Sequence, residues 1–258
     1  MSGPPTRTLV IACGALARET LAVIAANGWT HLVVECLPAG LHNHPERIPA
    51  AVAAKIAEAR ARGFTAICAL YADCGTGGAL DAVLDREGVV RIRGPHCYAV
   101  YAGQAVFQAL HDAETGTFYL TDFLARQFDT LVWQGLRLDR HPELLPQLFG
   151  NYRRVVYLAQ LPDPALLERA RDAAMRLGLP LEVRRTGFGE LAAFLAEAAS
   201  GEVDGTAGRG LVARYPGPGD RQEGPADGET RAAVALHRGD RPQRHAREAH
   251  RQRRLSRA

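Results

Sequence analysis

Five cysteines at positions 13, 36, 68, 74 and 97, together with histidines at 42, 44 and 96, are the residues of this chain best suited to chemistry. Thiolate and imidazole donors suit borderline and soft cations. Three thiolates with one imidazole make a ligand set for zinc, and three cysteines alone can hold an iron–sulfur cluster with one open iron. The metal ligands expected here are Cys13, Cys74 and Cys97, with His96, His42 or His44. Asp73, next to Cys74, can orient an imidazole or act as an acid or base. Cys74 itself, at an expected helix N-terminus, can alternatively be a nucleophile with a depressed pKa. The stretch Gly75-Thr76-Gly77-Gly78 opens the same helix, so its backbone N–H groups can cradle a phosphate or another anion, although it matches neither a Walker nor a dinucleotide pattern. Each feature also has a plain structural reading. A free cysteine packs as a small hydrophobe, which is the expectation for Cys36 and Cys68 inside strands. His42 and His44 can cap a turn, Pro95 before His96 can mark a structural turn, and the glycine stretch can be a simple tight turn.

The elements that would position these residues follow from periodicity. Short apolar strands alternate with helical segments, which predicts an α/β fold: a mostly parallel sheet of about six strands with helices on both faces, in Rossmann-like layering. Strands are expected at Thr8 to Ala12, His31 to Cys36, Thr65 to Leu70, Val89 to Ile92, Arg154 to Leu158 and Leu181 to Arg185. Helices are expected at Leu16 to Ala26, at Ile48 to Arg62, where Val52, Ile56 and Ala59 share one face, near 78–86, 97–111, 121–132 and 140–148, at Pro164 to Leu177, and at Phe188 to Ala199. Thr121 suits an N-cap and Gly178 a helix stop. In open parallel sheets, ligands bind where the loops leave the carboxyl ends of the strands. Cys13, the His42/His44 loop, Asp73-Cys74 and His96-Cys97 follow the first four strands in turn, so all four belong to one cysteine-rich crevice. Gln160, after the fifth, is a further candidate for that edge. The aromatic segment 116–124 reads as a lid, a pocket wall or packing against the sheet.

Composition bounds the function classes. With 258 residues and 47% hydrophobic content, the chain can bury one sizeable core, and residues 1–200 are expected to form a single α/β domain. No apolar run is long enough for a membrane span and the start of the chain lacks a signal-peptide pattern, so a cytoplasmic protein with free thiols is expected. An odd number of cysteines without framework spacing agrees. From Gly201 the sequence turns to Gly, Arg, Pro, Ala and acids with a single aromatic, Tyr215, and no apolar period; it carries 12 Arg against 8 acidic residues. Residues 201–258 therefore read as a disordered basic tail, or as an out-of-frame segment of a GC-rich gene. Their Arg and His content lacks interleaved aromatics, which argues against nucleic-acid binding.

Six stretches carry a resemblance: ACGALARE (12–19), LPAGLHNHPE (37–46), DCGTGGALD (73–81), GPHCY (94–98), GTFYLTDFL (116–124) and FGNYRRVVYLAQ (149–160). Over about residues 7–199 the sequence resembles an uncharacterised bacterial and archaeal family, the domain of unknown function numbered 1638. The resemblance implies no established activity. It does imply a setting in one-carbon metabolism, beside corrinoid-dependent methyl transfer from methylamine-type compounds, with a corrinoid protein or methyltransferase as partner. It also implies further ordered sequence where this chain has its basic tail. Three functions stay open: a zinc or iron–sulfur metalloprotein, enzyme or accessory factor; a non-catalytic binding or maturation module for a corrinoid protein; and a metal-free thiol enzyme using Cys74 on a small-molecule ligand.

Overall fold

The computed structural model describes residues 7–201. The expected basic tail, from residue 202 on, lies outside the described residues.

The first sheet holds β1 (Thr8–Cys13), β2 (Leu32–Leu37), β3 (Ala66–Leu70) and β4 (Val90–Arg91), all parallel, in the order β2-β1-β3-β4. Its helices are α1 (Ala17–Asn27), α2 (Ile48–Ala61) and α3 (Ala79–Glu87). β1 lies inside the sheet and all six of its residues are buried, which is why it reads as a continuous apolar run rather than an alternating one. Two short helices follow, α4 (Cys97–Ala102) and α5 (Gln104–Ala113). The sequence predicts one helix over 97–111, but Gly103 adopts φ +79°, a left-handed value that ends one helix and starts the next.

The second sheet, also parallel, has the order β5-β6-β7, from β5 (Thr117–Thr121), β6 (Arg154–Ala159) and β7 (Leu181–Arg185). The helices α6 (Asp122–Gln127), α7 (Leu145–Phe149), α8 (Pro164–Leu177) and α9 (Glu190–Ser200) accompany it. Thus the parallel α/β architecture is as the sequence predicts, and among the described residues seven strands are divided between two sheets. The added strand is β5, in the segment expected to be a lid or wall. Its alternation is hidden because all five of its residues are buried. Thr121 does cap the next helix, its hydroxyl accepting the Leu124 N–H at 3.3 Å. That helix runs only to Gln127 before a π-helical stretch, Phe128–Trp133. Gly178 stops α8 at φ +70°, as expected.

Each sheet has its own apolar core, and a third cluster of Ala99, Phe107, Leu110, Tyr119, Val156 and Leu158 joins them. After the second sheet, α9 returns to pack on α1 and α4 and contributes Leu191, Phe194 and Leu195 to the first core. The turn after β1, Gly14–Leu16, packs against α6, which follows β5. The carboxyl ends of the two sheets therefore meet at one interface. Among the described residues, no helix is long and apolar enough to cross a membrane.

Candidate functional site

β2 and β3 flank β1, so neighbouring parallel connections leave in opposite directions between β1 and β3. That is the switch point at which doubly wound sheets open a crevice. Cys13 ends β1 and is 8% exposed. Ala12 pairs with Leu70, so Cys13 and Tyr71 are the next residues along adjacent strands and stand side by side. Gly14 lets the first loop lie against the second: a Cβ there would stand 3.1 Å from the Leu37 carbonyl oxygen and 3.2 Å from the Ala39 nitrogen.

The third and fourth loops are stitched together, with Asp73 N–H donating to Gly94 O at 3.0 Å and Cys74 N–H to Pro95 O at 2.7 Å. This brings Cys74 beside His96-Cys97. Cys74 has φ +50°, an uncommon left-handed value for a residue with a side chain, of the kind that gathers at functional sites.

The thiols of Cys13 and Cys97 act on Cys74, and that of Cys13 on Cys97. Burial pushes Cys74 well above the usual thiol range, and the neighbouring charges of Cys97, Cys13 and Asp73 push it further. Burial, then Cys13, raises Cys97 to about 12, against partial relief from the N–H groups of Cys97 and Tyr98. Burial raises Cys13 too, partly offset by the Ala15 N–H and the Tyr71 hydroxyl. All three are neutral thiols near pH 7. The depressed pKa expected of Cys74 as a nucleophile is reversed: α3 starts only at Ala79, with Gly78 as its N-cap, so Cys74 stands outside the helix N-terminus while burial and two nearby sulfurs raise it.

His96 is held edge-on against Tyr98 and Phe107, with ring centroids 5.2 and 4.6 Å apart. Its Nδ1 is buried and has no hydrogen-bond partner. Burial, and then the nearby His42, lower its pKa to about 4. Burial lowers His42 as well, so two neutral imidazoles from the second and fourth loops share one neighbourhood. His44 stands apart, half exposed, with its Nδ1 3.4 Å from Glu46. Among the described residues, no group of three or more His, Cys, Asp or Glu side chains is arranged to hold a metal ion.

The glycine turn is occupied from within. Asp73 accepts the Thr76 hydroxyl at 2.6 Å and the N–H groups of Gly77 and Gly78 at 3.2 and 3.0 Å. Burial would raise the Asp73 pKa, but these donors and the charge of Arg91 outweigh it and hold the carboxyl below its usual value. An anion at Gly75–Gly78 would have to displace this carboxylate, so Asp73 closes the turn that leads into α3. Cys68 is buried core, as expected, with its thiol raised to about 12 by burial, whereas Cys36 is exposed on edge strand β2.

Two residues of this interface were not among those expected from sequence. Glu19 on α1, with a side chain 1% exposed, pairs with Arg126 of α6 at 2.9 Å, and the Tyr101 hydroxyl donates to its other oxygen at 3.4 Å. The available signal was an acid on the apolar face of a helix, between Leu16 and Val23. Tyr71 falls first in the loop after the third strand, where nothing in its type singles it out. Gln160 belongs to the second sheet: its side-chain oxygen accepts the Asp122 N–H at 2.7 Å and its amide donates to Leu158 O.

A family model described as "Protein of unknown function (DUF1638)" matches residues 36–195. No curated protein and no solved structure matches the chain. The matched span contains Cys74, Cys97, His96 and His42, and it starts after Cys13.

Proposed function

This chain belongs to the DUF1638 family, whose description names no activity, and we propose that it is a metal-binding protein in which Cys13, Cys74 and Cys97 take zinc or an iron–sulfur cluster as thiolates. One observation carries the reading: three thiols, delivered by three different loops to a sheet's switch point, stand close enough that Cys13 and Cys97 raise the pKa of Cys74, and Cys13 that of Cys97. Without a cation, burial above all, and the neighbouring sulfurs after it, keep them protonated. A divalent metal reverses the sign of the local field, so binding expels the protons and draws the loops inward. His96 and His42 are the imidazoles available as a fourth ligand, and both are kept neutral by burial, as ligation requires. With an imidazole bound the site is closed; with three thiolates alone it keeps a position for a substrate. The partner proposed for such an open site is a corrinoid protein of methyl transfer from methylamine-type compounds, in a reducing cytoplasm.

The same electrostatics count against a metal-free thiolate enzyme, because no cation among the causes acting on Cys74 offsets its burial except the distant pull of Arg91.

Metal analysis of anaerobically purified protein tests the reading. Wild type is expected to carry stoichiometric zinc or iron, and Cys74→Ser and Cys97→Ser to lose most of it. Wild type without stoichiometric metal, or variants with unchanged content, would sink it.

A further inference from the structure

β7 (Leu181–Arg185, LEVRR) is the exposed edge of the second sheet, whereas the opposite edge, β5, is wholly buried. Val183, Arg184 and Arg185 are open to solvent, Val183 with 40% of its surface. The register on β6 fixes which backbone groups face outward. Pro180 O accepts the Val155 N–H at 2.9 Å and the Thr186 N–H donates to Ala159 O at 3.0 Å, so the even-numbered residues turn to β6. By alternation, the N–H and C=O groups of Leu181, Val183 and Arg185 point away from the sheet. None of these groups has a protein partner among the described residues.

Such an edge is a template for another strand unless proline, a bulge or uncompensated charge guards it. Residues 181–185 hold no proline or glycine, and their charges are self-complementary. An antiparallel copy related by a two-fold axis at Val183 sets Val183 opposite Val183, Leu181 opposite Arg185, and Glu182 opposite Arg184. Two independent conditions are met at once. The outward-facing residues oppose one another and exchange N–H···O bonds in both directions. Glu182 and Arg184 take the position without hydrogen bonds, where opposed Cα atoms are only about 4.5 Å apart and side chains stand closest. Axes at Glu182, Arg184 or Arg185 would oppose like charges, and an axis at Leu181 would set Glu182 against Pro180. The outer strand of the first sheet, β2, lacks this pattern, because Glu35 is its one charge and has no basic residue on that strand to meet.

We propose that β7 is the interface with a second copy of this chain, the two three-stranded sheets joining edge to edge through a two-fold axis at Val183. Arg184, which in the single chain folds back onto Glu182 of its own strand, then reaches Glu182 of the second copy. Glu182 keeps its bond to Arg154 at 2.8 Å, which holds the carboxylate in place for it. Because the pairing is antiparallel, the carboxyl ends of the joined sheets point in opposite directions and neither crevice is covered by the contact. The proposal does not depend on what the crevice binds. The strand is short, so the dimer is expected to form with a Kd of roughly micromolar size.

Sedimentation velocity of the full chain, from about 1 to 200 μM, tests it. Wild type should pass from monomer to dimer across that range. Val183→Pro removes an outward N–H and leaves the ladder to β6 intact, and Arg184→Glu opposes acid to acid; both should stay monomeric throughout, with unchanged circular dichroism. Charge pairing adds a readout that a folding defect does not imitate: Arg184→Glu and Glu182→Arg chains should each be monomeric alone and form a heterodimer when mixed. Wild type that stays monomeric would overturn the proposal and leave the edge to a strand of a different protein. A dimer that persists in both Val183→Pro and Arg184→Glu would overturn it by placing the contact elsewhere, and mixed chains that remain monomers would overturn the register. If Val183→Pro does not fold, Arg184→Glu, altered only at an exposed side chain, decides alone.

Discussion

At the carboxyl end of the second sheet, Asp122 is fully buried and its oxygens are saturated: they accept the Tyr157 hydroxyl at 2.7 Å, Gln160 N–H at 3.1 Å and Leu161 N–H at 3.0 Å. At the carboxyl end of the first, His96 Nδ1 is buried without a partner, Cys74 holds a left-handed backbone, and burial with neighbouring thiols raises the pKa of Cys74 and Cys97. Both ends occupy the place where parallel sheets bind ligands. A saturated network stabilises and specifies the packing of its own sheet, whereas an unsatisfied one is stable only if the rest of the fold supports it, which is the mark of a binding site. Fold position alone would nominate both ends, and the hydrogen-bond accounting separates them.

Removing the saturated carboxylate gives the largest expected effect on stability. Asp122→Ala strands several buried donors and should cost about 3–5 kcal/mol in chemical denaturation, while the folded fraction keeps its metal. Loss of metal with little loss of stability would invert the comparison.

Glu19→Gln comes next. It leaves Arg126, 16% exposed, without its anion where the two sheets meet, and a cost of about 2–3 kcal/mol is expected. Hydrogen exchange should quicken in α6 and in the Gly14–Leu16 turn before it does in β6. Uniform acceleration would mean that the pair does not join the two carboxyl ends in particular.

Thiol reactivity sharpens the comparison further. With the crevice thiols raised by burial, iodoacetamide near pH 7.5 should label exposed Cys36 well ahead of Cys74 in metal-free protein, as read by peptide mass spectrometry. Preferential labelling of Cys74 would restore the thiol-enzyme reading. The smallest effect belongs to His44→Ala: the side chain is half exposed and engaged with Glu46, so stability should shift by no more than about 0.5 kcal/mol and metal content should be unchanged.

Much of this is written locally in the chain. The apolar runs Leu9 to Cys13 in β1 and Val155 to Ala159 in β6 declare buried parallel strands, Gly178 and Thr121 mark their helix ends, and the four cysteine- and histidine-bearing loops fall after the first four strands. Two sheets instead of one is a matter of long-range pairing, because a parallel strand looks the same in either arrangement and β5 has no polar face to reveal it. Glu19 could be singled out on its helix, but its partner lies 107 residues away. The partnerless Nδ1 of His96 and the crowding that raises Cys74 depend on how the loops fold over one edge, which no spacing records.

X-ray absorption at the metal edge of anaerobically prepared wild type tests the central claim most directly. Three sulfur scatterers near about 2.3 Å, for zinc or iron, are the predicted first shell, with one sulfur lost in Cys74→Ser. A shell of oxygen and nitrogen alone, or a wild-type protein that holds no stoichiometric metal, would contradict it.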